Sequence, residues 1–377
     1  MKLLSVNMSL DPVTGGGTAE RTIQMCKHFA EEGVECTILT TDIGLSRTAL
    51  EAMKSANLNI IALPCINDRF YVPRLRLNLI KQLVTDSNVI HLMGHWTLIN
   101  VIVYVYAMHL GKPYAVCPAG ALPIFGRSSL LKIFYNKVAG ISIIRNAHIH
   151  VAIAENEIQQ FADYGVAAEQ VTLIPNGVNP VDYQFEDTQV FRNHVKLGDS
   201  PYILFVGRLN PIKGPDLLLH AFIAIGDFFP EMHLVFAGPD GGMLKELKSL
   251  LSDSAIVNRV HFPGYVGGAN KIAAYKGATI LVVPSRQEAM SIVALESGVC
   301  GVPVLVTDMC GFGTLSDIGG GMVVSATIEA LSGGLVSLLE NRSTLPRMGE
   351  RFKTYILEHY TWHAAAIAYL DLFNKMG

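Results

Sequence analysis

The chain has 377 residues, of which 50% are hydrophobic and 16% charged, and its net charge is −3. That length suits about two domains, and that composition excludes a disordered chain and gives no sign of a nucleic-acid partner. A mean hydropathy of +0.35 is high for a soluble protein; buried parallel strands account for much of it, and lipid contact is the other source.

In chain order, the first half repeats one pattern. Lys2–Met8 reads as a strand, Ser9–Gly17 as a loop and Thr18–Glu32 as a helix stopped by Gly33. Val34–Thr41, Leu58–Pro64, Val89–Leu92, Tyr114–Cys117, Ile149–Ala154 and Val171–Ile174 read as further strands. Helices are expected at Pro73–Thr85, Thr97–His109, Ser128–Ile144 and Glu155–Tyr164. Asn179–Ser200 is polar and aperiodic and reads as an interdomain linker with a short helix. Alternation restarts with strands at Tyr202–Gly207, His233–Ala237, Val260–Phe262, Thr279–Val283, Val302–Thr307 and Met322–Val324. The helices between them are expected at Pro215–Phe229, Met243–Ser252, Asn270–Gly277, Ile328–Leu339 and Leu345–His359, and Trp362–Lys375 is a last, apolar-faced helix. Alternating strands and helices make two doubly wound parallel sheets, an α/β class. The domains are drawn at 1–180 and 201–360, with 361–377 as the closing helix.

The six cysteines (Cys26, Cys36, Cys65, Cys117, Cys300, Cys310) show no C-x-x-C and sit in or beside apolar runs, as reduced thiols of a cytoplasmic protein would. The N-terminal apolar stretch is too short for a signal peptide. Asn88–Gly111 carries no Lys, Arg, Asp or Glu, but Met93-Gly94-His95 breaks it, so a buried strand and helix are expected rather than a membrane span. From Arg69 to Arg145 the bases are Arg69, Arg74, Arg76, Lys81, Lys112, Arg127, Lys132, Lys137 and Arg145, against Asp86 alone. They are either solvated helix faces or a surface for an anionic membrane or a phosphate-bearing acceptor.

The most informative stretch is Val283–Gly313. A buried strand ends at Pro284-Ser285, Glu288 follows in the loop, Ser291 is placed to cap a helix over Ile292–Val299, and Glu296 lies on that helix. Glu288 then stands at the carboxyl end of a parallel strand, where open α/β sheets bind ligands, and amides at Met290, Ser291 and Ile292 face an anionic group. This Glu-x7-Glu unit resembles that of the retaining glycosyltransferases of family 4, which have the GT-B fold. Phe205-Val-Gly-Arg-Leu-Asn-Pro-Ile-Lys-Gly214 is similar to the family's G-R-x4-K-G segment, and Ile174-Pro-Asn-Gly-Val178 to its P-N-G-V hinge. Order and spacing agree over nearly the whole chain.

The resemblance implies two Rossmann-like domains facing across a cleft, the last helix returning to the first domain, and a nucleotide-sugar donor held by the second. It implies that Arg208 and Lys213 meet the charge of the leaving diphosphate. It further implies that Glu296 accepts from ribose hydroxyls and that Glu288 faces the donor sugar. Val266, in Val260–Val266, resembles the strand-turn that contacts the nucleobase. Pro239-Asp240-Gly241-Gly242 is a turn near that pocket or a purely structural one. Gly15-Gly16-Gly17 opens a helix after the first strand, and Gly16 and Gly17 let a backbone approach a phosphate or the acceptor. It is not G-x-G-x-x-G, since Glu20 takes the last place; Asp42 at a strand end keeps a dinucleotide enzyme as a minor alternative.

His91, His95 and Trp96 lie in His-Leu-Met-Gly-His-Trp, similar to the family's acceptor-side loop. Two departures stand out. Ala289 and Ser291 replace the usual glycines near Glu288, and Ala119 stands where relatives carry His or Arg. No D-x-D or H-E-x-x-H is present, so no metal is expected. The reading is a metal-independent retaining transferase acting from the cytoplasm, peripheral at the inner membrane face, on a lipid-linked acceptor in cell-surface polysaccharide assembly. Its rivals are a nucleotide-sugar epimerase or hydrolase, and a sugar-nucleotide-binding subunit without turnover. Product analysis with and without acceptor separates them.

Overall fold

The computed structural model describes residues 1–11, 14–46, 50, 51, 53, 58–124, 128–252 and 254–375. Part of the expected loop Ser9–Gly17, at residues 12 and 13, and the basic residue Arg127 lie outside them. The chain divides into two compact units: Met1–Asn176 with the segment from Trp362 on, and Gly177–Thr361. The division falls inside the Pro-Asn-Gly-Val sequence.

The first unit is built on seven parallel strands: β1 (Lys2–Val6), β2 (Glu35–Thr41), β3 (Asn59–Leu63), β4 (Val89–Met93), β5 (Tyr114–Cys117), β6 (Ile149–Ala152) and β7 (Val171–Leu173). Their order is β3-β2-β1-β4-β5-β6-β7. The central strands are buried on both faces, which is why they read as unbroken apolar runs. Leu4, Val6, Ile90, Leu92 and Val116 pack on Val103 and Ile143 of the flanking helices. Asn88–Gly111 is the strand–helix pair β4 and Leu98–Leu110, whose amide at Asn100 is capped by the Thr97 hydroxyl. No helix among the described residues is long and apolar enough to cross a membrane.

The last helix, Trp362–Asn374, belongs to this unit and packs on helix Gly16–Glu31, with Phe29 against Tyr369 and Phe373 at 6.0 and 5.8 Å. The fully buried Arg21 joins distant segments. Its guanidinium donates to the carbonyls of Ile174 and Pro175, to Asn176 Oδ1 and to Tyr369 Oη at 2.8–3.3 Å.

Two expectations change here. A small antiparallel hairpin, Cys65–Asn67 with Val72–Pro73, follows β3, so the next helix starts at Leu77 rather than Pro73. The hairpin is tied down by Asp42, whose carboxylate accepts from the Cys65 amide at 2.8 Å. The helix expected over Ser128–Ile144 is three pieces: Ser129–Tyr135, a π-helical turn Asn136–Gly140, and Ile141–Arg145. All six cysteines are free thiols.

The second unit has six parallel strands: β8 (Tyr202–Val206), β9 (His233–Ala237), β10 (Val260–Gly264), β11 (Ile280–Val283), β12 (Val304–Thr307) and β13 (Gly321–Val324). Their order is β10-β9-β8-β11-β12-β13. Its core joins Ile203, Phe205, Phe236, Val282 and Leu305 to Leu218, Phe222 and Leu331 of the helices. Asn179–Ser200 is not a bare linker. It carries the helix Gln189–Val195, whose Phe191 is fully buried beside Tyr202, and Arg192 ties it to the carbonyls of Gly198, Ser200 and Gly277. One buried aromatic in a short polar helix leaves too faint a period to read from the sequence.

Candidate active site

In each sheet the strand order reverses once, and the crevice outside the carboxyl ends at that point is where open α/β sheets bind ligands. In the second unit it lies between β8 and β11. The loop after β8 carries Arg208 and Lys213, and the loop after β11 carries Glu288. The two loops are fastened to each other. Arg286 donates through both terminal nitrogens to the Asp216 carboxylate at 2.8 and 2.6 Å and to the Pro211 carbonyl, while its amide donates to Ile212 O. Burial pushes the Asp216 carboxyl up, but this guanidinium fork and the helix amides bring it below the ordinary carboxylate value. Gly214 sits at φ 65° with its α-carbon against the Pro284 carbonyl, where a β-carbon would collide. The Lys-Gly pair is therefore a packing requirement as well as a charge.

Lys213 Nζ donates to Glu288 Oε1 as an ion pair. The other oxygen, Glu288 Oε2, is buried and has no hydrogen-bond partner, and the same holds for Ser285 Oγ and Ser291 Oγ in the same loop. Ser291 thus precedes helix Ile292–Val299 without capping it through its hydroxyl. Buried polar atoms are nearly always satisfied, so three in one loop set this loop apart as a candidate ligand site. Met290 is also buried in this loop, Ile292 opens the helix, and Val266 is buried after β10. Arg208 is exposed at the end of β8.

Glu296 is buried and holds three donors. Tyr183 Oη and Lys271 Nζ reach its Oε1 at 3.0 and 2.6 Å, and Tyr275 Oη reaches Oε2 at 2.5 Å. A carboxylate offers about four acceptor positions, so three are in use. Neither Tyr183, Lys271 nor Tyr275 was picked out from the sequence. In the Pro239–Gly242 turn, Asp240 accepts from the amides of Gly242 and Leu244 at the start of helix Leu244–Leu251, a structural role.

In the first unit the order reverses between β1 and β4. Gly16 and Gly17 begin the helix that follows β1, and no side chain among the described residues caps it. His95 follows β4 and is buried. Its Nε2 meets Asn136 Oδ1 at 2.9 Å, Asn136 Nδ2 donates to Tyr164 Oη at 2.7 Å, and Tyr164 Oη donates to Leu122 O. That chain makes Nε2 the protonated nitrogen and leaves Nδ1 a buried acceptor without partner. Burial, partly offset by Asn136, pushes the His95 pKa down to about 4. Trp96 stacks edge-on against Tyr135, with Lys132 Nζ 5.3 Å from its ring centroid.

His91, expected on the acceptor side, is packed in the interior of the unit against Tyr369 and Phe373 of the last helix. Burial and the Arg21 charge hold its pKa down at about 3. It sits in a strand covered on both faces, which leaves no outward position for it. Ala119 takes a left-handed backbone, φ 51°, and the adjacent Gly120 amide donates to the buried Glu157 carboxylate, which also accepts from Ile153.

Residues 15–182 match the family described as Glycosyltransferase Family 4, and residues 186–355 the family described as Glycosyl transferases group 1. The chain belongs to the group 1, family 4 glycosyltransferases. A D-inositol 3-phosphate glycosyltransferase of Acidothermus cellulolyticus is 31% identical over 194 residues, 48% of this chain and 43% of that one. The chain spans about half the length of the curated relatives it matches. Its fold is GT-B: HepE of Anabaena, crystallised with UDP and glucose, superimposes with a TM-score of 0.82 at 16% identity over 100% of both chains. WaaG, a glycosyltransferase involved in lipopolysaccharide biosynthesis, superimposes at 0.69 with 16% identity over 99% of both chains.

Proposed function

We propose that the protein transfers a glycosyl group from a nucleoside diphosphate sugar to an acceptor hydroxyl, with retention at the anomeric carbon. The second unit binds the donor and the first the acceptor. The carrying observation is the loop after β11, where Glu288 Oε2, Ser285 Oγ and Ser291 Oγ are buried without partners beside the Lys213–Glu288 pair. Sugar hydroxyls supply those partners. As the anomeric C–O bond to the diphosphate breaks, the acceptor oxygen bonds on the same face and the leaving phosphate takes the acceptor proton. Negative charge grows on the diphosphate, and Arg208 and Lys213 stabilise it without a metal. Lys213 has three N–H donors and gives one to Glu288, so it bridges sugar and phosphate sites. Glu296 receives the ribose.

A lipid-linked acceptor, at the cytoplasmic face of a membrane that the basic region 69–145 approaches, suits the charge of that region. We infer a role in cell-surface polysaccharide assembly from that acceptor class; the likeness to WaaG shows the shared fold. A thermal-shift screen with UDP, GDP, ADP and their sugars tests the donor site, because a bound donor stabilises the fold by mass action. One nucleotide series raises the transition, and Arg208→Ala lowers the increment. No response to any of them refutes the reading.

A further inference from the structure

Helix Ser129–Tyr135 and the π turn after it are turned inside out. An amphipathic helix of a globular protein places its apolar stripe on the core. Here Leu130, Ile133, Phe134 and Val138 form such a stripe, and they are 82, 51, 64 and 64% exposed. The face towards the protein is the other one: Lys132, Tyr135 and Asn136 are partly buried, and Ala139 and Gly140 fully so. That inner face is bolted to the loop after β4. Tyr135 Oη donates to the His95 carbonyl, Asn136 meets the His95 ring, and Lys132 lies over Trp96. The outward direction of the apolar stripe is thus set by specific hydrogen bonds and not by a loose end.

The sequence on either side carries one sign of charge. No Asp or Glu occurs between Asp86 and Glu155, while Lys132, Lys137 and Arg145 lie in or beside the helix. Exposed apolar side chains with cations among them match the interfacial layer of an anionic bilayer, where hydrocarbon enters below the headgroups and lysines reach back to them. We propose that this helix inserts its Leu130–Ile133–Phe134–Val138 face into the surface of an anionic lipid membrane and thereby sets the His95–Trp96 loop at the headgroup level. The proposal deepens the acceptor assignment above and rests on the acceptor being lipid-linked. It predicts that the acceptor is reached laterally from the membrane and not from solution.

The test is co-sedimentation with vesicles of phosphatidylcholine alone and of phosphatidylcholine with phosphatidylglycerol, with Trp96 emission as a second readout. Wild-type protein partitions onto the anionic vesicles, about tenfold or more above the neutral ones, and its emission moves to the blue. Leu130→Ser with Phe134→Ser lowers the partition about tenfold or more, and Lys137→Glu lowers it several-fold. Both variants keep the nucleotide-induced thermal shift, since all three residues belong to the first unit. Absence of wild-type binding overturns the proposal, as does unchanged binding by the double variant. So does a wild-type dimer that the double variant makes monomeric, because a second copy then covers the face. Vesicle binding without any nucleotide response instead leaves the docking face standing and removes the donor assignment.

Discussion

Replacing Glu296 with Gln keeps the size of the side chain and removes its charge, which separates two roles. In the native site Lys271 and Tyr183 donate to one oxygen and Tyr275 to the other. Gln offers one oxygen and one NH2. If the oxygen keeps Lys271 and Tyr183, the Tyr275 hydroxyl must rotate to accept from the amide; the lysine bond stops being an ion pair and both tyrosine bonds become neutral ones. A hydrogen bond to a charged group contributes about 1.5–3 kcal/mol against about 1 for a neutral one, a loss of about 0.5–2 kcal/mol per bond and about 2 kcal/mol over the two tyrosine bonds. For a unit of this size that lowers the thermal transition by about 4–8 °C. The ribose pair also loses an acceptor, and nucleotide affinity falls roughly tenfold or more. Calorimetric titration with UDP alongside thermal denaturation reads both effects. A lowered transition with unchanged nucleotide affinity shows that Glu296 only braces Tyr275 and Lys271; no change in either removes it from the site altogether.

Tyr183→Phe tests the crowding of the same carboxylate. It frees one acceptor position, so nucleotide affinity holds or rises, whereas a fall of about tenfold makes Tyr183 a direct ligand. Lys213→Ala leaves Glu288 with neither oxygen paired in a mostly buried setting. Transfer activity is lost and the fold is destabilised by about 1–3 kcal/mol, while Arg208→Ala, at an exposed residue, weakens the nucleotide shift with an unchanged transition. Acid should loosen the first unit through two buried histidines. His91 and His95 have folded pKa values of about 3 and about 4, below the unfolded 6.5, so their stability contribution is complete above pH 6.5 and is lost as pH falls towards 4. From pH 7 to 5 that is about 2 kcal/mol per histidine. The buried Glu157, whose carboxyl burial pushes up, acts in the opposite sense, adding stability as pH falls towards the ordinary carboxylate value. Urea unfolding at the two pH values measures the difference, and His91→Leu should flatten it; an equal slope in the variant refutes the assignment.

The alternation of strands and helices was legible because parallel strands covered on both faces are short apolar runs. Helix Leu345–His359 was legible to the residue, with a proline in its first turn, and so was Ile292–Val299. Arg208, Lys213, Glu288 and Glu296 could be named because their spacings resemble a known pattern, and the structure sets Lys213 on Glu288. What surrounds them was not legible. Tyr183, Lys271 and Tyr275 lie 113, 25 and 21 residues from Glu296, and Asp216 lies 70 from Arg286; no local period links such pairs. Asn136 reaches His95 from a π turn, which has no composition signal of its own. The outward face of Ser129–Tyr135 was misleading for the opposite reason: its pattern is that of a core helix.

The clasp made by Arg21 has a consequence for the order in which the protein is born on the ribosome. Its partners are the carbonyls near residue 175 and the hydroxyl of Tyr369, which is translated only after the whole of Gly177–Thr361. The later unit is one continuous piece and emerges whole, whereas the earlier one must wait for its final helix. Nascent chains usually acquire structure from the amino end first. In this chain the first unit can be completed only after Gly177–Thr361 has been made, and a premature stop ahead of Trp362 would leave an amino-terminal half with an uncovered flank.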